Sequence, residues 1–165
     1  SGLLALTLPT SDSGDDASTT TTTLTPNSAA GKPCVALADP LPPGAPEVPV
    51  QLGPPPVELV ATDLVPGAGP IVTASATLTV HYIGASCSTG RIFDSSWSRG
   101  EPASFSLSGV IKGWQEGLPG MAVGGRRLLG IPPALAYADR GSGSLIAPGE
   151  TLWFVVDLLD AQATG

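Results

Sequence analysis

Between residues 76 and 83 apolar and polar positions alternate: Leu78, Val80 and Tyr82 fall on one side, Thr77, Thr79 and His81 on the other. A period of two is that of a half-buried antiparallel strand. It returns over residues 152–159, where Leu152, Phe154, Val156 and Leu158 oppose Trp153, Val155, Asp157 and Leu159. Shorter strands are predicted over 91–94, with Ile92 and Phe93 on opposite faces, over 102–107, where Phe105 and Leu107 share a face, and over 126–131, stopped by Pro132-Pro133. A further strand starts over 57–60, ahead of the Pro66-Gly67-Ala68-Gly69 turn. Residues 109–117 break the alternation. They are shorter than the roughly 12–15 residues an isolated helix needs, and glycines at 109, 113 and 117 weaken helix propensity. Yet Val110, Ile111 and Trp114 stand three and four apart, so they share one side of a helical turn. A stub so weak and so apolar forms only where strands fold around it. The fold class is α+β, a five- to six-stranded antiparallel sheet curled around one short helix.

Ahead of this pattern the chain changes character. Ser1-Gly2 has the form of a tag-cleavage remnant, and residues 3–8 read as the tail of a secretory signal sequence. Ser11 stands where a bacterial lipoprotein carries its lipidated cysteine, which a serine cannot replace; a Cys-to-Ser change and an unrelated leader both fit. Residues 1–30, rich in Ser, Thr and Asp, bury too little to order themselves and are expected to be a disordered tether. Residues 31–54 read as a Pro-rich extended arm, a semi-rigid spacer, and residues 55–165 as the folded domain.

The 165 residues carry a net charge of −7, which argues against nucleic acid or an anionic membrane surface as a partner. No run reaches the roughly 18 apolar residues of a membrane-spanning helix. Cys34 and Cys87 are the two cysteines and lie outside any metal-ligand cluster. Beside a leader remnant they read as a disulfide stapling the arm to the loop after the 76–83 strand, worth about 3–4 kcal/mol; two reduced thiols are the alternative.

Polar chemistry is sparse. His81 is the single histidine, placed on a polar strand face, so triad catalysis and most metal chemistry lack support. Ser96, Ser98 and Ser104 have no base partner in the pattern. No phosphate loop or paired-carboxylate motif occurs. What remains is an apolar set: Tyr82, Phe93, Val110, Ile111, Trp114, Tyr137, Ile146 and Phe154. The two tyrosines stand out because a tyrosine keeps its hydroxyl near water or a partner. Asp94 stands out because it puts a charge directly after Phe93, at the border of an apolar hollow.

Taken in order, Val80-His81-Tyr82-Ile83-Gly84, Gly90-Arg91-Ile92-Phe93-Asp94-Ser95-Ser96, Val110-Ile111-Lys112-Gly113-Trp114-Gln115-Glu116-Gly117, Met121-Ala122-Val123-Gly124-Gly125-Arg126, Ala136-Tyr137 and Thr151-Leu152-Trp153-Phe154-Val155-Val156-Asp157-Leu158-Leu159 resemble the FKBP-type peptidyl-prolyl isomerases over about residues 55–161. The resemblance implies an antiparallel sheet wrapped around a short helix, with Trp114 as the floor of an apolar pocket. Tyr82, Phe93, Val110, Ile111 and Phe154 then line its wall, and Ile146 lies on the loop that covers it. Tyr137 matches the tyrosine whose hydroxyl binds a ligand carbonyl, the Ile111 N–H a second such donor, and Asp94 the acid beside the prolyl ring. Some positions depart: Ala103 replaces a rim phenylalanine, two residues are missing between Leu107 and Val110, Gly109 replaces an acidic residue, Ala138 a glycine and Ser142 a histidine.

The activity so implied is rotation about X–Pro bonds with no metal or cofactor, with Tyr82, Asp94 and Tyr137 as its catalytic groups. An FKBP-like chaperone or binding module with little turnover is the alternative. Expected partners are proline-containing polypeptides and macrolides such as tacrolimus and rapamycin, met by a monomer. The expected location is extracytoplasmic, secreted or tethered as a bacterial lipoprotein.

Overall fold

The alternating stretches become six strands of one antiparallel sheet in a computed structural model that describes residues 28–138, 140–142 and 146–162. The strands are β1 (Val60–Val65), β2 (Thr77–Ser86), β3 (Ile92–Ser95), β4 (Ala103–Ser106), β5 (Arg126–Ile131) and β6 (Leu152–Gln162). Their order is β1-β5-β6-β2-β3, with β4 also on β2. The first strand opens later than its sequence suggests. Val57 is 89% exposed, and the ladder begins with Val60 opposite Gly130. Pro54-Pro55-Pro56, just before, have no N–H to give to a ladder.

β3 and β4 share one edge of β2. Ser95 pairs with Ile83, and Ala103 to Ser106 pair with Val80 to Thr77 further along. Between them a single turn of helix, α1 (Ser96–Arg99), interrupts the edge. It is a second helix beyond the one expected. The Ser95 hydroxyl accepts the Trp97 N–H at its start, and Gly100 closes its end in the left-handed conformation.

The register puts Tyr82 opposite Val156 and Gly84 opposite Phe154, so these side chains share the concave face. There lies α2 (Lys112–Gly117), the predicted stub. Its six residues survive because Trp114 is buried among Leu78, Tyr82, Leu129, Ile131, Phe154 and Val156. Gly113 has a task in this. A Cβ there would sit 2.4 Å from Ile131, so only glycine lets the helix lie this close to β5. Poor intrinsic propensity is traded for close packing.

The convex face is apolar too, and the arm covers it. Ile83, Leu128, Trp153 and Val155 form a second core with Cys34, Val48 and Cys87. The proline spacing predicts a spacer, but these residues are laid against the sheet. Cys34 exchanges backbone bonds with Gly53, Val35 donates to the Cys87 carbonyl, and Ala38 to that of Gly90. The Asp39 carboxylate accepts the Ile92 N–H and pairs with Arg91 at 3.0 Å. A disulfide joins Cys34 and Cys87, 53 residues apart, and the Trp153 indole N–H points to the Cys34 sulfur at 3.3 Å. The reason is local: Ile83, Trp153 and Val155 would otherwise face water. The leader remnant, Ser11 and the Thr-rich tether up to residue 27 lie outside the described residues.

Replacing both Cys34 and Cys87 by serine is expected to lower the unfolding free energy by about 2–4 kcal/mol. Urea unfolding followed by circular dichroism measures it; an unchanged midpoint would show that the arm is held by packing alone.

Candidate active site

Around Trp114 the aromatic side chains of the sheet stand on edge. Tyr82, Phe105 and Phe154 meet its ring at 5.4–5.5 Å between centroids and at 82–84° between planes. Phe93 continues the set, 5.4 Å from Phe154 at 83°. Edge-to-face contact of this kind adds about 0.5–1.5 kcal/mol per pair beyond area burial. Gly84 leaves room for it: a Cβ there would lie 2.6 Å from Phe93 and 2.8 Å from Phe154. Trp114 itself is 0% exposed, and its indole Nε1 has no hydrogen-bond partner among the described residues. Val110, Tyr137 and Ile146 belong to the same cluster, with Phe93 and Ile111 packed partly exposed against it. Thus the structure brings all nine predicted site residues to one place, Asp94 entering through its contacts with Tyr82.

That polar corner is tight. The Tyr82 hydroxyl donates to Asp94 Oδ2 at 2.5 Å. Arg99, at the end of α1, spans both groups: Nη1 donates to Asp94 Oδ1 at 2.9 Å and Nη2 to the Tyr82 hydroxyl at 2.9 Å. The carboxylate side chain of Asp94 is 8% exposed, so Arg99 supplies the opposite charge that such burial requires. Burial, then the bond to Asp94, pushes the Tyr82 hydroxyl well above the ordinary range. Arg99 was not singled out from sequence. Its signal was faint but present: Ser95 and Gly100 bracket it as the two caps of a helical turn.

Tyr137 follows a short 3-10 turn at Pro133–Leu135 and is also buried. Burial raises its hydroxyl to about 12, helped by the charge of Asp94. No described residue accepts or donates a hydrogen bond at this hydroxyl. Ile111 caps α2 in an extended conformation; its carbonyl accepts from Trp114 and Gln115, while its own N–H has no acceptor among the described residues. The Gln115 side-chain amide also donates to the Val110 carbonyl, at 2.6 Å. Ile146 is held by a pair of backbone bonds to Ser142. Ala138, at the position where a glycine is usual, takes φ 50°, the left-handed region.

One expectation is corrected. Ser96 does have a base beside it: its Oγ lies 2.7 Å from His81 Nδ1. The unforeseen α1 folds Ser96 back over β2. The same Oγ accepts the Tyr82 N–H at 2.7 Å and is fully buried, so it fixes Tyr82 and is not presented to a substrate. His81 stacks on Trp97, with centroids 4.8 Å apart.

An indole ringed edge-on by aromatic side chains, on the concave face of a curled antiparallel sheet, defines a class of α+β domain. Comparison with known proteins specifies it. The model of the FKBP-type peptidyl-prolyl cis-trans isomerases matches residues 69–159. The chain is 47% identical over 116 residues to a probable FK506-binding protein of Corynebacterium glutamicum, covering 70% of this chain and 98% of that one. It is 53% identical over 117 residues to an FK506-binding protein of Streptomyces anulatus, covering 69% and 94%. The crystal structure of FkpA from Escherichia coli superposes with a TM-score of 0.61 at 44% identity, over 65% of this chain and 49% of that one. The chain belongs to the FKBP-type peptidyl-prolyl cis-trans isomerase family.

Two outcomes are expected. Ala138→Gly relieves the left-handed strain of a residue with a Cβ, so unfolding should cost about 0.5–1 kcal/mol more; calorimetry measures it, and a lower melting temperature would contradict the assigned conformation. With both site hydroxyls held above their unperturbed value of about 10, isomerase activity should stay level as pH rises from 7 to 9. A loss centred below pH 9 in a protease-free assay would contradict that.

Proposed function

We propose that the enzyme binds the prolyl ring of an X–Pro segment in this cup and lowers the barrier to rotation by desolvation and by fixing the flanking carbonyls. Amide resonance sets that barrier at about 18–20 kcal/mol, and uncatalysed X–Pro exchange takes tens of seconds or more. The planar amide is charge-separated along C–N, while the twisted amide has lost that resonance. A dry aromatic surface therefore disfavours the planar ground state relative to the twisted one. Trp114 forms the floor, with Tyr82, Phe93, Val110, Ile111, Ile146 and Phe154 as the wall. Tyr137 and the Ile111 N–H hold substrate carbonyls, and Asp94, fixed by Tyr82 and Arg99, faces the twisting bond.

The observation that carries this reading is that two donors packed with the aromatic cluster, the Tyr137 hydroxyl and the Ile111 amide, have no acceptor among the described residues, whereas Tyr82 and Asp94 are fully engaged. Unmade hydrogen bonds at an apolar cleft are what a carbonyl-bearing guest would complete. Trp114 is fully buried, so a prolyl ring reaches it only after the rim side chains part. That burial is also what favours the second reading, a binding module with little turnover. The disulfide supports an extracytoplasmic setting, with secreted or envelope polypeptides as clients. The names of the two relatives, both FK506-binding proteins, support the macrolide FK506 (tacrolimus) as a ligand.

A prolyl tetrapeptide assay with and without macrolide separates turnover from mere binding. Tyr137→Phe is expected to lower kcat/KM by about tenfold, one hydrogen bond's worth, with the circular dichroism spectrum unchanged. Unaltered kcat/KM in that variant would remove Tyr137 from the mechanism.

A further inference from the structure

Glu150 is a carboxylate buried to 2% exposure just ahead of β6. Both its oxygens are used. Oε2 accepts the Ser88 N–H at 2.7 Å and Oε1 the Ser88 hydroxyl at 2.9 Å. No cation pairs with it among the described residues, so burial of its charge is offset by one serine alone. Ser88 follows Cys87, just past the end of β2 at Ser86. A charge is seldom buried without a positional reason, because leaving it in water costs nothing.

The bonds around it show what it holds. Glu150 N–H donates to the Ala147 carbonyl and closes the turn. Within that turn Gly149 N–H donates to the Ala138 carbonyl at 2.7 Å, one residue from Tyr137. From the other side Ala29 N–H donates to the Pro148 carbonyl at 2.7 Å, and Ala29 is itself buried. The arm runs on to Cys34, whose disulfide returns to Cys87 beside Ser88. Ser88, Glu150, Pro148, Ala29, Cys34 and Cys87 thus make a closed clasp. Two of its members, Ala29 and Cys34, precede the residues that the family model matches.

We propose that this clasp places Tyr137 and Ile146 over the proline site, with Glu150 as a positioning residue that acts through Ser88. It touches no substrate. Its effect falls on how well the loop meets a bound peptide, so it governs KM more than the rotation step. This rests on the proline-cup reading above.

The test compares Glu150→Ala, Glu150→Gln and Ser88→Ala in the full chain, with a prolyl tetrapeptide as probe, below the melting temperature of each variant. Glutamine keeps one acceptor for the Ser88 N–H and can donate to its hydroxyl, so it restores the geometry without the charge. Glu150→Ala should raise KM by about threefold or more with kcat within about twofold, and Glu150→Gln should return KM near the wild-type value. Ser88→Ala, which removes one of the two bonds, should fall between them and speed exchange of the Gly149 amide. It also decides the matter if Glu150→Ala does not fold. A melting temperature that drops while KM and Gly149 exchange stay put would overturn the proposal and leave Glu150 a turn brace. A wild-type enzyme that does not turn over the tetrapeptide would instead remove the cup reading beneath it.

Discussion

Trp114 touches three aromatic rings edge-on, and nearly everything else in the chain serves that contact. The helix that bears it is six residues long and contains glycines, so it has no stability of its own. It exists because the concave face of the sheet buries its indole, and the sheet curls as it does because that indole fills it. Neither half is meaningful without the other. Tyr82, Phe105 and Phe154 reach it from three separate strands, so the aromatic floor is assembled only in the complete fold. In the proposed mechanism the activity therefore rests on packing: a surface that excludes water favours the twisted amide over the planar one, and no titrating group has to sit at its centre.

The polar part of the site is built by an interruption. The outer edge of β2 is shared by two short strands, and the single helical turn between them carries Ser96 and Arg99 back toward it. Ser96 fixes the backbone of Tyr82, and Arg99 fixes its hydroxyl together with Asp94. A continuous edge strand would have alternated these residues away from one another. The break converts sequence neighbours into a cage around one tyrosine.

Much of this was legible in advance. Period-two alternation locates β2 and β6, shorter apolar stretches and turn residues mark the other four strands, and the apolar load on a glycine-bearing stub identifies the helix and its indole. All nine proposed pocket residues come together because they sit at inward positions or at helix and loop ends that the motif order already fixed. The misses have physical causes. α1 is four residues long, too short for any periodic signal, so Arg99 and the His81–Ser96 pair stayed hidden behind it. Proline spacing describes the arm's backbone shape and says nothing of its burial. The correcting signal lay elsewhere: Ile83, Trp153 and Val155 are apolar on the outward face of their strands, and a sheet greasy on both sides needs a second cover.

The central claim is that a proline-bearing chain reaches the Trp114 indole. The chain has three tryptophans, Trp97, Trp114 and Trp153, and each gives one indole N–H signal in a nitrogen–proton correlation spectrum of the labelled protein. On titration with a prolyl tetrapeptide, the signal of Trp114, assigned by its loss in Trp114→Phe, should move saturably. Those of Trp97 and Trp153, on the far face of the sheet, should stay still. A Trp114 signal that does not respond while peptide is being bound or turned over would contradict the account.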